Sequence, residues 1–382
     1  MAEANLSAPG EVSLEEVKKA RQGPSSVVRV VKYMAVRILL LAMTVAIGVY
    51  LTVLIANMGG YVDQIRRGEI RETISLRALS DPVLKAMDPD TRTRRLEELI
   101  AMEEHRVGLD RPFVVRSFNF LKNALMLNLG RASYMSSDAG SRQVRYIILE
   151  RLPATLLLTG SASFINFFLT VGVGLSLSRK YGSKLDKFII GMSPTSAIPA
   201  WFYSLFLIMI FASWLDWLPY GGMVSAPPPE EPILYALSLL QHMILPVSAW
   251  VVAGFFGAVY AYRTYFLIYS SEDYVDMAKA KGLSDRDVER RYVLRPTLPN
   301  IITTFAFLLI AAWTGAPIFE TVFNWPGIGR VTLTAVNLYE TSVIVGTTVV
   351  FSYLLAITVF LLDFFYAIVD PRVKIGGEGR NV

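Results

Sequence analysis

Side chains that commonly carry out catalysis or bind metal ions are few in this chain, which has two histidines and no cysteine among 382 residues. His105 and His242 are far apart in sequence, and the catalytic patterns HExxH and GxSxG are both absent. We therefore expect no disulfide, no metal site and no enzymatic activity in this chain. His242 is expected to be a hydrogen-bonded histidine near a membrane surface.

The most polar stretch of the second half is DYVDMAKAKGLSDRDVERRYVLRP at 273–296, which has eleven charged side chains and one glycine. Ser270 or Ser271 is predicted to cap a first short helix there. Gly282 is predicted to end that helix, because glycine adopts the left-handed C-terminal conformation without steric strain. Capping-box spacing from Ser284 predicts a second helix, which is expected to lie along the membrane surface and to end at Pro296.

This stretch has two interpretations that its residues leave open. Its small residues, Ala278, Ala280 and Gly282, leave a shallow spot where another protein could approach closely. Its arginines and lysines could instead contact anionic lipid headgroups, as in many basic loops of membrane proteins. Physical chemistry favours neither interpretation over the other.

The elements around this stretch are predicted to be membrane-spanning helices. The chain is 53% hydrophobic, and its apolar residues are concentrated in six stretches without Asp, Glu, Lys or Arg. Each is longer than the ~20 residues that a helix needs to cross a bilayer. The fold is therefore predicted to be all-α and polytopic. The stretches are 38–62, 152–178, 188–215, 232–262, 296–319 and 341–362.

The basic residues predict how these spans are oriented. The loop 179–187 has four Lys or Arg, the stretch 273–296 has six, and both tails are basic, which predicts that both termini are cytoplasmic. The predicted parts are a cytoplasmic tail (1–37), a first span (38–59), an external helical domain (60–150), a five-helix core (151–368) with the polar loop at 270–299, and a cytoplasmic tail (369–382). Within the external domain, GLDRP at 108–112 predicts a helix end.

Several residues are candidates for the transport pathway or an external gate. Prolines in the third and fourth spans predict kinks, either in moving pore-lining helices or in static ones. The sequence NWPGIGR predicts a re-entrant turn near a pore mouth or a tight turn with an interfacial tryptophan. Asp363, near the cytoplasmic end of the last span, is expected to pair or to reach the interface. The pathway candidates are Pro194, Pro199, Pro246, Trp325, Pro326 and Gly327.

Six segments in order resemble the dipeptide/oligopeptide (nickel) permease family of ABC importers, and its first-permease (B-type) subunit in particular. DYVDMAKAKGLS followed by RRYVLRPTLP is similar to the family's EAA loop. The other segments are HRVGLDRPFVVRSFNFLKNALMLNLGRASY, RLPATLLL, LPYGG, VFNWPGIGR and LLDFFYAIVDPRVK, and together they cover about residues 39–374.

The resemblance implies a permease subunit that forms half of a translocation pathway for peptides or a similar solute in the inner or plasma membrane. Its partners would be a homologous second permease, two cytoplasmic ATPases that hold ATP and magnesium, an external solute-binding protein and membrane lipid, with no nucleic acid. The pattern GxxxxGK[ST] is absent from this chain, so hydrolysis would occur in a separate subunit. An ion-driven secondary transporter or channel is the alternative. The resemblance assigns ATPase docking to Asp276, Met277, Ala278, Ala280, Gly282, Leu283 and Arg286.

Overall fold

The computed structural model describes residues 26–58 and 60–369, so the predicted tail segments 1–25 and 370–382 lie outside the described residues. Within the described residues the regular structure is helical, apart from one isolated β-bridge between Arg131 and Gln143. The predicted all-α fold is confirmed.

The α-helices among the described residues range from 4 to 39 residues in length. The first half contains α1 (Ser26–Met58), α2 (Tyr61–Ser80), α3 (Pro82–Lys85), α4 (Pro89–Val107), α5 (Phe113–Leu125), α6 (Val144–Thr155), α7 (Ser161–Arg179), α8 (Lys184–Met192) and α9 (Ala200–Leu207). The second half contains α10 (Pro232–Ser270), α11 (Asp273–Ala280), α12 (Asp285–Val288), α13 (Arg295–Thr314), α14 (Pro317–Val322), α15 (Ile328–Asn337) and α16 (Thr341–Val369).

Five helices among the described residues are long and apolar enough to cross a membrane, or six if one sharply bent pair counts as a single span. The five run over Tyr33–Met58, Val144–Arg179, Pro232–Ser270, Asp285–Thr314 and Thr341–Phe364. The bent pair, Lys184–Ala197 and Ala200–Trp214, corresponds to the predicted third span and is bent by 102°. The chain is thus a polytopic membrane protein, but its third span is not one straight helix.

The break in the third span follows from its prolines. Pro194 lies in a 3₁₀ turn, Ser193–Ala197, and Pro199 caps the start of α9. Proline lacks the backbone N–H that an α-helix would use, so these two prolines interrupt the hydrogen-bond ladder twice. Pro246, by contrast, is buried within α10 without interrupting it.

The second span begins at Val144, earlier than the predicted Leu152. A π-helical segment, Leu156–Gly160, joins α6 to α7 without a sharp bend. Val144, Ile147 and Ile148 are almost fully buried in a cluster with residues of α15 and α16. Packing of this apolar face explains why the helix begins before the uncharged stretch, while charged residues of α6 lie on its other side.

The predicted external region is helical, as expected. Asp88 caps α4 by accepting a hydrogen bond from the Thr91 amide at 3.0 Å, and hydrogen bonds from Thr91 lower the pKa of the Asp88 carboxyl. Gly108, with φ of 80°, ends α4, which confirms the predicted helix end. Arg67 of α2 forms an ion pair with Glu104 of α4 and holds the two helices together.

Among the described residues, buried or partly buried ion pairs join helices that are far apart in the sequence. Asp363 of α16 pairs with Arg37 of α1, which confirms the pairing role expected for Asp363. Asp186 of α8 accepts two hydrogen bonds from Arg263 of α10, at 2.8 and 2.7 Å, and both side chains are buried. Since an unpaired buried charge is strongly unfavourable, the second pair holds α8 against α10.

Gly174 lies where α7 packs closely on α10. A Cβ atom built on Gly174 would be 2.8 Å from the Cβ of Tyr262 and 3.0 Å from the backbone nitrogen of Arg263. Two residues earlier, Gly172 has no atom of a neighbouring element within 4 Å. Small residues let membrane helices approach closely, and Gly174 has that role here.

Gly174→Ala is expected to lower the free energy of unfolding by about 1–3 kcal/mol, because backbone and Cβ atoms cannot move aside easily. Gly172→Ala on the same helix is the matched control, and alanine in an open helical position is expected to be neutral or stabilising by up to about 1 kcal/mol. Unfolding of both purified variants in detergent checks this difference. Equal stability would contradict the close packing at Gly174.

Candidate functional site

The polar loop, defined as residues 270–299, starts differently from the prediction. Glu272 precedes α11 as its N-cap residue, and its side chain makes no capping hydrogen bond among the described residues. The hydroxyls of Ser270 and Ser271 donate instead to Leu267 and Ile268 carbonyls, at 2.9 and 2.8 Å. The predicted serine cap is wrong, because α10 extends to Ser270 and both hydroxyls bond to its last turn.

The hinge between α11 and α12 has the predicted form. Gly282 has φ of 80° and donates its amide to the Lys279 carbonyl at 2.9 Å. The Asp287 amide donates to the Ser284 hydroxyl at 3.2 Å, and that hydroxyl donates to the Asp287 carboxylate at 2.7 Å. The glycine end and the Ser284 cap are therefore confirmed.

The second helix of the loop does not end at Pro296. It continues from α12 through a π-helical segment, Glu289–Leu294, into α13 as one helix, Asp285–Thr314. Pro296 is the second residue of α13 and directly follows the π-helical segment, a local adjustment of the helix that accommodates a proline. The prediction of a separate surface helix is therefore wrong, and the loop is joined directly to a membrane span.

One face of α11 packs on the protein's own interior. Val275 is fully buried and Ala278 is 2% exposed, in a cluster that includes Phe266 of α10 and Val293 of the π-helical segment. Leu283 is partly buried against the same cluster. Ala278 was expected on a docking face, but its side chain points inward in this structure and anchors α11 to the spans.

The opposite face of the loop is open to solvent. Met277 is 59% exposed and Tyr274 is 38% exposed. Burial and the neighbouring Glu272 raise the pKa of the Tyr274 phenol, so it is neutral at physiological pH. The exposed residues among those predicted to dock an ATPase are Asp276, Met277, Ala280, Gly282 and Arg286.

A second polar site lies beyond the end of α13 and was not predicted. Its centre is Glu320 of α14, which is 0% exposed. Its carboxylate accepts hydrogen bonds from the Thr155 hydroxyl at 3.0 Å, the Arg330 amide at 2.8 Å and the Ala316 amide at 3.4 Å. Burial raises the pKa of the Glu320 carboxyl, and these hydrogen bonds act in the opposite direction.

Glycines make room for this carboxylate. A Cβ atom on Gly327 would be 2.4 Å from the Glu320 carboxyl carbon, and one on Gly315 would be 2.7 Å from a carboxylate oxygen. We call Glu320, Thr155, Gly315, Gly327 and Arg330 the Glu320 centre. An acid directly after an apolar stretch and shortly before two closely spaced glycines was the sequence signal for it.

Trp325 belongs to the same region and is fully buried. Its indole N–H donates to the Ala154 carbonyl at 2.8 Å. The alternative of an interfacial tryptophan is therefore wrong, while a place near a pore mouth stays a prediction for Trp325, Pro326 and Gly327.

The two polar sites do not come together. Trp325 shares a buried cluster with Met243 and Ala249 of α10, whereas the polar loop packs on Phe266 of the same helix. At about 1.5 Å per residue these levels are roughly 25–35 Å apart along α10. The sites thus lie towards opposite ends of the membrane-spanning part.

His242 is hydrogen-bonded, as expected: its Nδ1 donates to the Ser238 carbonyl at 2.7 Å. Among the residues that the structure describes, no three His, Asp or Glu side chains come together as a metal site would require. The expectation of no metal site stays a prediction.

The sequence of this chain is similar to one family of known proteins. A family model described as "Binding-protein-dependent transport system inner membrane component" matches residues 169–375, which include the polar loop. The oligopeptide transport system permease protein AppB of Bacillus subtilis (strain 168) is 28% identical over 301 residues, covering 78% of this chain and 90% of that protein.

Two further relatives are similar over a comparable part of the chain. The di/tripeptide transport system permease protein DppB of Pseudomonas aeruginosa (strain UCBPP-PA14) is 30% identical over 287 residues, covering 71% of this chain and 83% of that protein. The inner membrane ABC transporter permease protein YejB of Escherichia coli O157:H7 is 29% identical over 292 residues, covering 74% of this chain and 77% of that protein.

Proposed function

Since this chain belongs to the family of binding-protein-dependent transport system inner membrane components, we propose that it forms half of a peptide pathway through the inner membrane. The chain is an ABC importer permease of the peptide transport family. A second, homologous permease supplies the other half, and an external binding protein delivers di- or oligopeptides. The family match over the polar loop carries this proposal.

Two cytoplasmic ATPase subunits power the transport, and one docks on the exposed face of the polar loop. Met277, Ala280 and Gly282 form its open surface, with Asp276 and Arg286 as polar contacts. The exposure of these residues supports docking. The burial of Val275 and Ala278 keeps α11 attached to the spans when the docked ATPase moves.

The helix Asp285–Thr314 supports a mechanical link between this docking surface and the pathway. Because α12 continues into α13, a displacement of the hinge at Gly282 moves one end of a span directly. The packing of α11 on Phe266 gives α10 the same displacement. Two spans thus tilt together when the ATPase subunits close.

The polar loop and both termini lie in the cytoplasm in this proposal, and residues 60–150 and the Glu320 centre lie outside. The basic residues of the loop support this orientation. The bends at Pro194 and Pro199, the proline-containing α10 at Pro246, and the buried turn at Trp325, Pro326 and Gly327 are the proposed pathway or gate elements.

Purification of the tagged chain from its native membrane in mild detergent tests this function. We expect it to co-purify with an ATPase that contains GxxxxGK[ST] and with a second permease of similar sequence, both identified by mass spectrometry. ATP hydrolysis by the purified assembly should rise when the external binding protein and a peptide are added. Isolation as a homo-oligomer without any ATPase would refute the proposal.

A further inference from the structure

A small cavity of about 280 Å³, half open to the surface of a single helix, lies where the polar loop enters the membrane span. It is lined by Arg290, Arg291, Leu294, Arg295 and Leu298. The sequence leaves lipid contact open for the whole basic stretch, and this cavity is the part of it where a lipid could be held.

The π-helical segment explains why the arginines meet. In an α-helix, residues five apart point about 140° away from each other. In a π-helix, hydrogen bonds join residues five apart, so such residues lie on nearly the same side. The segment Glu289–Leu294 therefore brings Arg290 and Arg295 to one side of the helix.

Two of the three arginines in the cavity lack a carboxylate partner within the described part of the chain. Arg290 and Arg295 are exposed and have no carboxylate partner among the described residues. Arg291 lies 3.7 Å from Asp287, with both side chains exposed. The nearby Glu289 is paired with Arg179 at 3.0 Å.

The two leucines give the cavity an apolar side. Leu294 and Leu298 are partly buried, and the helix continues from them as an apolar span to Thr314. The arginines are therefore expected at the depth of the lipid headgroups, with the aliphatic side chains on the hydrocarbon side. An anionic phosphate beside acyl chains has this pattern of charge and apolar surface.

We propose that this cavity binds one anionic phospholipid, with its phosphate held by Arg290 and Arg295 and its acyl chains against Leu294 and Leu298. The lipid fills the junction between the hinge and the span that the hinge moves.

Titration of the purified full chain, in neutral detergent, with short-chain phosphatidylglycerol tests the site. Binding should be at least about tenfold tighter than that of phosphatidylcholine. The double variant Arg290→Gln/Arg295→Gln should bind phosphatidylglycerol about 30-fold more weakly, as expected for two basic residues near a membrane surface. Binding of phosphatidylcholine should not change.

Arg71→Gln/Arg94→Gln is the matched control, because it removes two exposed arginines of α2 and α4, far from the cavity in sequence. It should bind phosphatidylglycerol as the unaltered chain does. If the double glutamine variant fails to fold, Arg290→Gln by itself should bind about fivefold more weakly. Arg290→Lys/Arg295→Lys should keep most of the affinity.

Equal binding of phosphatidylglycerol by the unaltered chain and the glutamine variants would overturn the proposal. Equal binding of the two lipids would overturn it as well. Displacement of the lipid by an equal concentration of inorganic phosphate would assign the site to free phosphate. If the double glutamine variant binds lipid normally here but loses the ATPase in the separate co-purification experiment, the arginines belong to protein docking. The lipid titration uses the chain without its partners, so its failure leaves the proposed transport function standing.

Discussion

Gly282→Arg is expected to leave the protein folded while reducing transported peptide per ATP by about tenfold, which is the effect of losing ~1.4 kcal/mol of docking free energy when coupling is proportional to the docked fraction. Gly282 lies at the hinge of the polar loop with φ of 80°, and no atom lies within 4 Å of a Cβ built on it. The added side chain therefore has space in this chain but occupies the surface on which we propose that the ATPase docks.

Gly282→Arg adds backbone strain, because any side chain at a left-handed position is strained, and it also adds bulk and charge. These two effects can be separated. Gly282→Ala introduces the strain, about 1–2 kcal/mol, without the bulk or the charge. ATP hydrolysis and peptide uptake are measured on the reconstituted assembly. The amount of peptide taken up per ATP hydrolysed should fall strongly in the arginine variant and much less in the alanine variant. Equal coupling in the arginine variant and the unaltered protein would show that the ATPase docks elsewhere.

Glu320→Ala is expected to lower the free energy of unfolding by about 3–5 kcal/mol. The change would leave the Thr155 hydroxyl and the Arg330 amide without their acceptor in a site that excludes water. It would also leave a cavity between elements that the carboxylate now joins. Glu320→Gln keeps the volume and one acceptor, so an intermediate loss is expected.

Glu98→Ala is the matched control, because its side chain is 62% exposed on α4 and its ion pair with Arg95 is on the surface. A change of less than about 1 kcal/mol is expected there. Unfolding curves of the three purified variants, compared with the unaltered protein, measure the difference. If Glu320→Ala and Glu98→Ala unfold alike, the Glu320 centre does not stabilise the fold.

The polar loop shows which details can be read from neighbouring residues. Gly282 and Ser284 were predicted correctly, because a glycine end and a serine cap depend on residues within about one helical turn. Ser270 and Ser271 were predicted wrongly, because the length of α10 depends on its packing along the whole span. Pro296 was misjudged because a π-helical segment before it keeps the helix continuous.

Burial was harder to predict than helix ends. Ala278 was expected to face a partner, yet it packs on Phe266 and Val293, which lie on two other elements. Glu320 was missed because its hydroxyl donor, Thr155, is 165 residues away. A single sequence contains no signal for which distant group will reach a given carboxylate.

By itself, the sequence determined the membrane-spanning helices, the polar loop and the resemblance to importer permeases. These depend on composition and spacing over short stretches, which decide how a segment partitions between water and lipid. The tertiary structure decided the 102° break in the third span, the inward face of α11 and the enclosure of Glu320. Each of these depends on packing between elements far apart in the chain, and local partitioning and capping do not specify that packing.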